Sequence, residues 1–442
     1  MNHSISQDFN FKSLIKFTLP TIIMMMFISV YSIVDGIFVS RYLGSNALSS
    51  LNIIYPIINV LLGIGIMMGT GSSSIITKKM GEGKLEEAYQ TFSFISLVSI
   101  IIGFIFTLIC SIFIEDLSIL LGSNEILLKD CVTYLQIMLL FSPICMLQLL
   151  YQTFFVTASN PKLGLIATLI GGIANIVLDY FFMGILHMGV EGAAIATGIG
   201  QSLSALIGLV FFFTNKQGLH YTTPKYDFHI LWKSCTNGAS EMVSNISSGF
   251  ITFLFNIIML DMLGEPGVAA ITIALYAQFL FNGLYIGFST GVAPIFSYNF
   301  GSKNTNQIKK IYKICIRFIC ISSIIILSLS FISSPFLIGI FTPKTDPTYN
   351  IAVHGFYFFA LNFLFAGINI FSSALFTAFS NGKVSAIISF LRTFVFITLC
   401  LFILPKIIGI DGVWLAIPLA ELLTLFVSLI YLKEFKSIYN YA

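Results

Sequence analysis

The stretch Ser93 to Ile114, SFISLVSIIIGFIFTLICSIFI, carries no charged residue from end to end. At about 1.5 Å per residue, a helix of roughly twenty residues reaches about 30 Å, the thickness of a bilayer's hydrocarbon core. The period-two alternation that a membrane barrel strand needs is absent, so the stretch reads as helix. Similar apolar runs recur near 14–40, 47–74, 91–114, 131–156, 163–186 and 190–214. Six more lie near 238–260, 267–296, 310–340, 350–376, 384–404 and 412–432. The expectation is an all-α membrane protein of about twelve transmembrane helices.

Composition points the same way. Of 442 residues, 57% are hydrophobic and 9% charged, against about 25% charged in an ordinary soluble domain. No soluble fold hides that much apolar surface. Met1 to Phe11 is polar and the run after it is a full span, so no cleavable leader is expected. The seven cysteines include no Cys-x-x-Cys, which indicates neither a disulfide framework nor a metal cluster. No Gly-x-x-x-x-Gly-Lys-Ser/Thr run exists to hold ATP, so an ion gradient is the expected energy source, without a cofactor. The formal charge of +3 says nothing for nucleic acid; the expected partners are the bilayer and small molecules.

Where the charges lie is informative. With alternate loops assigned to opposite sides, eighteen of the 22 Lys and Arg residues fall on one side, together with both termini and the 215–237 connection. Arg41, Lys129, Lys344 and Lys406 fall on the other. The positive-inside rule then puts both termini in the cytoplasm. Abundant Ile, Lys and Asn fits an AT-rich bacterial genome, and hence a bacterial inner (plasma) membrane.

The two halves repeat. Leu43-Gly44 recurs as Leu263-Gly264, Thr70-Gly71 as Thr290-Gly291, and Gly81 as Gly301, each 220 residues on. Thr157-Ala158 matches Thr377-Ala378, Glu191-Gly192 matches Asp411-Gly412, and Gln201 matches Glu421 at the same offset of 220. One offset held across most of six helices marks a duplication. The expected lobes are 1–220 and 221–442, six helices each. An even helix count gives both the same topology, with a pseudo-twofold axis along the membrane normal, an arrangement that suits alternating access.

Ionisable groups inside spans are costly and usually functional or paired. They are Asp35, Asp179, Glu241, Arg392 and Glu421. At the 220 offset Asp35 corresponds to Phe255 and Asp179 to Leu399, so the first lobe holds carboxylates that its copy lacks. Asp35 lies about five residues from the outer end of its span, and Asp179 and Thr197 about seven, a shared level roughly 8–11 Å down. Asn175 lies one turn from Asp179 on the same face. Two carboxylates, an amide and a hydroxyl are hard oxygen ligands for Na⁺, and the same carboxylates are able to exchange H⁺. A cation site of Asp35, Asn175, Asp179 and Thr197 is expected. The bland alternative is that they merely hydrogen-bond between helices.

Pro20 lacks the N–H of a helical turn and is expected to kink the first span. Arg392 and Glu421 lie at comparable depth on adjacent spans and are expected to form an ion pair, more structural than functional. Glu241 reads as a second protonatable group or an interfacial carboxylate. Asn256, Asn282, Asn362 and Asn369 are candidates for a polar substrate cavity, with interhelical hydrogen bonding as the alternative.

The run Ser32-Ile-Val-Asp35-Gly-Ile-Phe-Val-Ser-Arg-Tyr-Leu-Gly44 after Pro20 resembles the first span of the multidrug and toxic compound extrusion (MATE) family. Gly69-Thr-Gly-Ser-Ser-Ser74 through Gly81 is similar to that family's second span and cytoplasmic turn. Val190-Glu-Gly-Ala-Ala-Ile-Ala-Thr197 is similar to its sixth-span entrance. The resemblance implies efflux of varied, often cationic compounds in exchange for Na⁺ or H⁺ through a V-shaped pair of lobes. Its first-lobe cation site maps onto Asp35, Asn175, Asp179 and Thr197. The acidic residue that some branches carry in the tenth span has no counterpart, since 350–376 holds no Asp or Glu.

Three rivals compete with that expectation. A lipid-linked oligosaccharide flippase shares the two-lobe layout but calls for basic residues facing a pyrophosphate, and Arg392 is the one intramembrane base. An intramembrane enzyme needs a nucleophile and base within the spans, whereas His3, His187, His220, His229 and His354 fall in connections or at span ends. A channel lacks its ring of charges. The expectation is a monomeric, non-enzymatic cation-coupled exporter.

Overall fold

A computed structural model of the chain describes residues 5–442; the first four residues of the expected 1–220 lobe, His3 among them, lie outside that range. The described residues form helices joined mostly by short turns, with a longer irregular connection over 215–227 and no strand among them. Ser93, Ser96, Ser99 and Gly103 turn inward from α2 (Leu85–Ile112), while Ile101, Phe104, Ile105, Leu108 and Ile112 face out. This inverts the soluble pattern. Lipid solvates the branched aliphatics, and small residues let neighbouring backbones approach.

The order is α1 (Phe11–Gly81), α2, α3 (Ile114–Leu120), α4 (Leu128–Leu140), α5 (Ser142–Thr157), α6 (Pro161–Asp179) and α7 (Val190–Thr214). The second half has α8 (Phe228–Gly301), α9 (Thr305–Phe341), α10 (Pro347–Phe359), α11 (Phe363–Ala378), α12 (Gly382–Phe390), α13 (Phe396–Ile408), α14 (Ile410–Glu434) and α15 (Lys436–Tyr439). A π-helical turn over Tyr180–Ile185 extends α6, and another over Leu391–Val395 joins α12 to α13.

Among the described residues, 10 helices are long and apolar enough to cross a membrane, or 11 when the α4–α5 pair, bent by 60°, counts as one. The shortfall from the expected twelve lies in α8. Its 74 residues pass as one helix, yet at about 1.5 Å each they reach roughly 110 Å, more than twice a bilayer's need. Gly264 interrupts it at φ 70°, ψ −160°, and Gly44 interrupts α1 at φ 86°, ψ −177°. A side chain does not tolerate these angles, so glycine is what permits each reversal. The two breaks stand 220 residues apart, which makes α1 and α8 equivalent two-span units. The backbone stays helical through Pro20, and the interruption of α1 falls at Gly44.

The packing of α1 on α8 has the same twofold logic. A Cβ added at Gly81 would stand 2.1 Å from the Tyr298 carbonyl oxygen, and one at Gly301 would stand 2.1 Å from that of Lys78. Tyr298 is the 220-offset counterpart of Lys78, so the two contacts are one contact seen from either half. The same measure tracks the separation of the halves. It is 2.0 Å at Gly71 against Ser234, 3.4 Å at Gly63 against Met242 and Asn245, and beyond 4 Å at Gly36. The halves are pressed together at one end and part toward the Gly44 and Gly264 bends.

The closed end is the end that holds both termini. The Ile5 amide donates to Ser159 Oγ, Gln307 Nε2 donates to the Phe9 carbonyl, and Tyr441 packs on Tyr312 and Phe379. Asn237 Nδ2 donates to the carbonyls of Gly71 and Thr377, tying α8 to α1 and α11 there.

Candidate cation site

The first polar cluster gathers where α1, α6, α7 and α4 meet. Asp35 stands nine residues before Gly44, about 13 Å down its arm, deeper than the sequence spacing suggests because the helix runs on to the bend. Asp179 ends α6 just before the π-helical turn over Tyr180–Ile185. Such a turn adds a residue to the helix and swings the residues beyond it to a new face, a device common at functional sites. The Asp35 and Asp179 carboxyl groups lie within hydrogen-bonding reach of each other. Asn175 Nδ2 donates to Thr197 Oγ1 at 3.4 Å, and Tyr134 from α4 reaches Thr197. All four expected residues therefore meet in one place.

Their oxygens are under-satisfied. Asp35 Oδ1, Asn175 Oδ1 and both carboxyl oxygens of Asp179 are buried without a protein donor, and Asp179 is 0% exposed. Two carboxylates have nothing to donate to one another, so the pair needs a proton or a cation between its oxygens. The donor set of two carboxyls, an amide oxygen and a hydroxyl suits a hard monovalent cation. Tyr134 is the member that sequence reading missed, since nothing in its surroundings along the chain distinguishes it from a lipid-facing tyrosine.

The second cluster is built differently. Arg392 Nε donates to Glu421 Oε1 at 2.8 Å, and Asn369 Nδ2 donates to Glu421 Oε2 at 2.7 Å and to its carbonyl at 2.8 Å. Ser428 Oγ donates to Asn369 Oδ1 at 2.9 Å. Glu421 is thus buried with both carboxyl oxygens partnered, as the expected ion pair requires. Glu241 lies within the field of Arg392; it sits well inside α8, which begins at Phe228, rather than at the start of a span.

The four asparagines divide. Asn362 and Asn369 are both 0% exposed and make interhelical hydrogen bonds, the alternative that the sequence left open. Asn362 Nδ2 donates to the Phe359 carbonyl in the 3-10 turn Ala360–Asn362, its Oδ1 accepts from Gln278, and Asn369 is held by Glu421 and Ser428. A break in helical bonding inside a membrane leaves backbone groups that a nearby amide must satisfy. Asn256 and Asn282 keep unpartnered side-chain oxygens.

Known proteins share this architecture. The MatE family model matches residues 20–181 and again 242–402, one copy in each half. Multidrug export protein MepA of Staphylococcus aureus (strain MSSA476) is 24% identical over 413 residues, covering 93% of this chain and 91% of that protein. The outward-facing structure of a multidrug resistance MATE family transporter of the MOP superfamily superposes with a TM-score of 0.92 at 21% identity, over 98% of both chains. A MOP superfamily transporter from Pyrococcus furiosus Vc1, in which reversed polarity of the binding pocket suggests a different function, superposes at 0.91 with 21% identity and the same 98% coverage of both.

Proposed function

The chain belongs to the MatE family, and from that premise we propose that it is a cation-coupled antiporter that exports small, often cationic organic compounds by alternating access. It is a multi-pass membrane transporter and not an enzyme. The observation that carries the coupling is the Asp35–Asp179 pair, buried with oxygens that no protein donor satisfies. A proton or Na⁺ taken up there from the far side neutralises the pair, and its release frees the pair to repel again, so occupancy is linked to the packing of α1 against α6.

The lobes are taken as 1–220 and 221–442, a division supported by the two matched stretches and by the connection between α7 and α8. The open ends of α1 and α8, nearest the glycine bends, then face outward. The basic side, with both termini, faces the cytoplasm of a bacterial cell, in keeping with the positive-inside rule. Cationic substrates are favoured by charge: four carboxyls lie within the spans against Arg392, which Glu421 already engages. That same pairing weighs against a lipid-linked oligosaccharide flippase, for which a free basic group facing the cleft is needed. Each lobe carries its polar cluster within a single chain, and a monomer is sufficient.

The test is efflux of ethidium from proteoliposomes under an imposed Na⁺ gradient and then an H⁺ gradient. Gradient-driven efflux by the wild-type protein that is lost in Asp35→Asn is expected, and the gradient that drives it names the ion. No efflux under either gradient sinks the antiporter reading in favour of the flippase.

A further inference from the structure

Beside the cation site lies a second polar feature that coupling through the Asp35–Asp179 pair does not use. The bend between α4 and α5 falls at Phe141, next to Ser142 and Pro143. Pro143 has no N–H to give the Leu139 carbonyl, and Thr107 Oγ1 from α2 donates to that carbonyl instead at 2.6 Å. Ser142 Oγ, 0% exposed, has no such partner. Neither has Gln201 Oε1, on α7 one turn from Thr197 and nearer the terminus end. Ser142 and Gln201 line one cavity together with Leu135, Met138, Leu139 and Cys145. Its volume is about 10 Å³ for the centre of a water-sized sphere, room for about one water molecule.

The repeat explains why Gln201 is left over. Its counterpart 220 residues on is Glu421, whose oxygens are taken by Asn369 and Arg392. The residues 220 before those partners are Leu149 and Gly172, an aliphatic and a glycine that offer nothing to an amide. The first lobe therefore keeps a polar group at this level without the protein partners that satisfy it in the second. Broken spans with irregular backbone at membrane depth are tolerated where they line a polar cavity, and they recur at ion sites in transporters.

We propose that this cavity binds one water molecule between Ser142 Oγ and Gln201 Oε1, and that this water is the first station by which the coupling ion leaves the Asp35–Asp179 pair toward the terminus end of the lobe. The water donates to the Gln201 oxygen and exchanges a hydrogen bond with the Ser142 hydroxyl, satisfying two buried atoms that otherwise cost free energy. Thr197 one turn away hands the ion between the two levels. The relay role rests on the proposed cation coupling; the water site does not.

X-ray radiolytic labelling of the full chain in proteoliposomes, in ¹⁸O-labelled water, tests the site directly. Hydroxyl radicals born from a bound water oxidise its neighbours, so the buried Met138 and Cys145 are expected to take up label in the wild type. That label is expected to fall in Gln201→Leu, which removes the amide oxygen that holds the water. Ser142→Ala, which adds no bulk and keeps the helix, is expected to lower it too. Unlabelled Met138 and Cys145 in the wild type, or labelling unchanged in both variants, overturns the site. Both variants are expected to slow gradient-driven efflux about tenfold; wild-type turnover with the label lost overturns the relay. Asp35→Asn separates the two readings, because it is expected to abolish efflux while Met138 and Cys145 stay labelled.

Discussion

The two lobes present the same helices with opposite solutions to buried charge. In the first, the Asp35 and Asp179 carboxyls face each other with no protein donor. In the second, Glu421 accepts from Arg392 and Asn369, and Asn369 accepts from Ser428. A satisfied buried network holds one arrangement, whereas an unsatisfied one must recruit a proton or an ion to persist. One duplicated scaffold thus holds a lobe whose buried carboxyls lack protein donors and a lobe whose buried carboxylate its own side chains satisfy.

The sharpest way to break this contrast is at Asp35. Asp35→Asn is expected to reduce gradient-driven ethidium efflux to the level of protein-free vesicles while the purified protein keeps its wild-type melting temperature; full export by the well-expressed variant would falsify the site. Arg392→Ala attacks the other side. It strands the Glu421 carboxylate and is expected to cost about 3–5 kcal/mol of stability, seen as a lower melting temperature, with Glu421→Gln restoring part of the loss. A large transport defect at unchanged stability would instead make Arg392 a member of the transport machinery.

A third test addresses the seam where the lobes meet. In Gly301→Ala the new methyl cannot remain 2.1 Å from the Lys78 carbonyl, so the terminus end is expected to loosen. The distance between spin labels at positions 84 and 303 should lengthen, and turnover should fall severalfold. The smallest effect is expected at the start of α10, away from both clusters. There the hydrogen bond from Thr348 holds the Asp346 carboxyl below its ordinary value of 3.8. A depressed folded value stabilises above the unfolded one and is lost as the pH falls through the folded one. Hydrogen exchange at Thr348 and Tyr349, corrected for intrinsic rate, should accelerate below about pH 3.8, and Asp346→Asn should remove that dependence.

Much of the architecture is legible along the chain because lipid imposes a strong local rule. Runs such as Ser93 to Ile114 must be helical, since only helices and closed barrels satisfy the backbone in hydrocarbon and the alternation of a barrel strand is absent. The recurrence of Gly44 as Gly264 marks the two bends. Boundaries are less legible: α1 and α8 run further than their apolar cores, so Asp35 and Glu241 sit deeper than hydropathy places them. Pro20 stays inside a continuous helix, and Gly44, at φ 86°, is where the chain turns. Asn362 and Asn369 read as cavity polar groups because sequence cannot tell an amide that meets a ligand from one that repairs a helix or clasps a carboxylate.

By itself the sequence determined the solvent, the helical crossing of it, the duplication and the identities of the few charges carried into it, because burial in lipid is costly enough to be written residue by residue. Tertiary structure alone decided which further groups join those charges: Tyr134 at Thr197, and Asn369 and Ser428 around Glu421. Asp179 precedes one π-helical turn and Arg392 sits within another, and each inserted residue rotates the helix face by about 100°. That rotation, which no period of 3.6 anticipates, re-aims the residues that follow each turn. Gln201 of α7 and Ser142 at the α4–α5 bend, which no local pattern connects, share a cavity because the packing of separate helices brings them together.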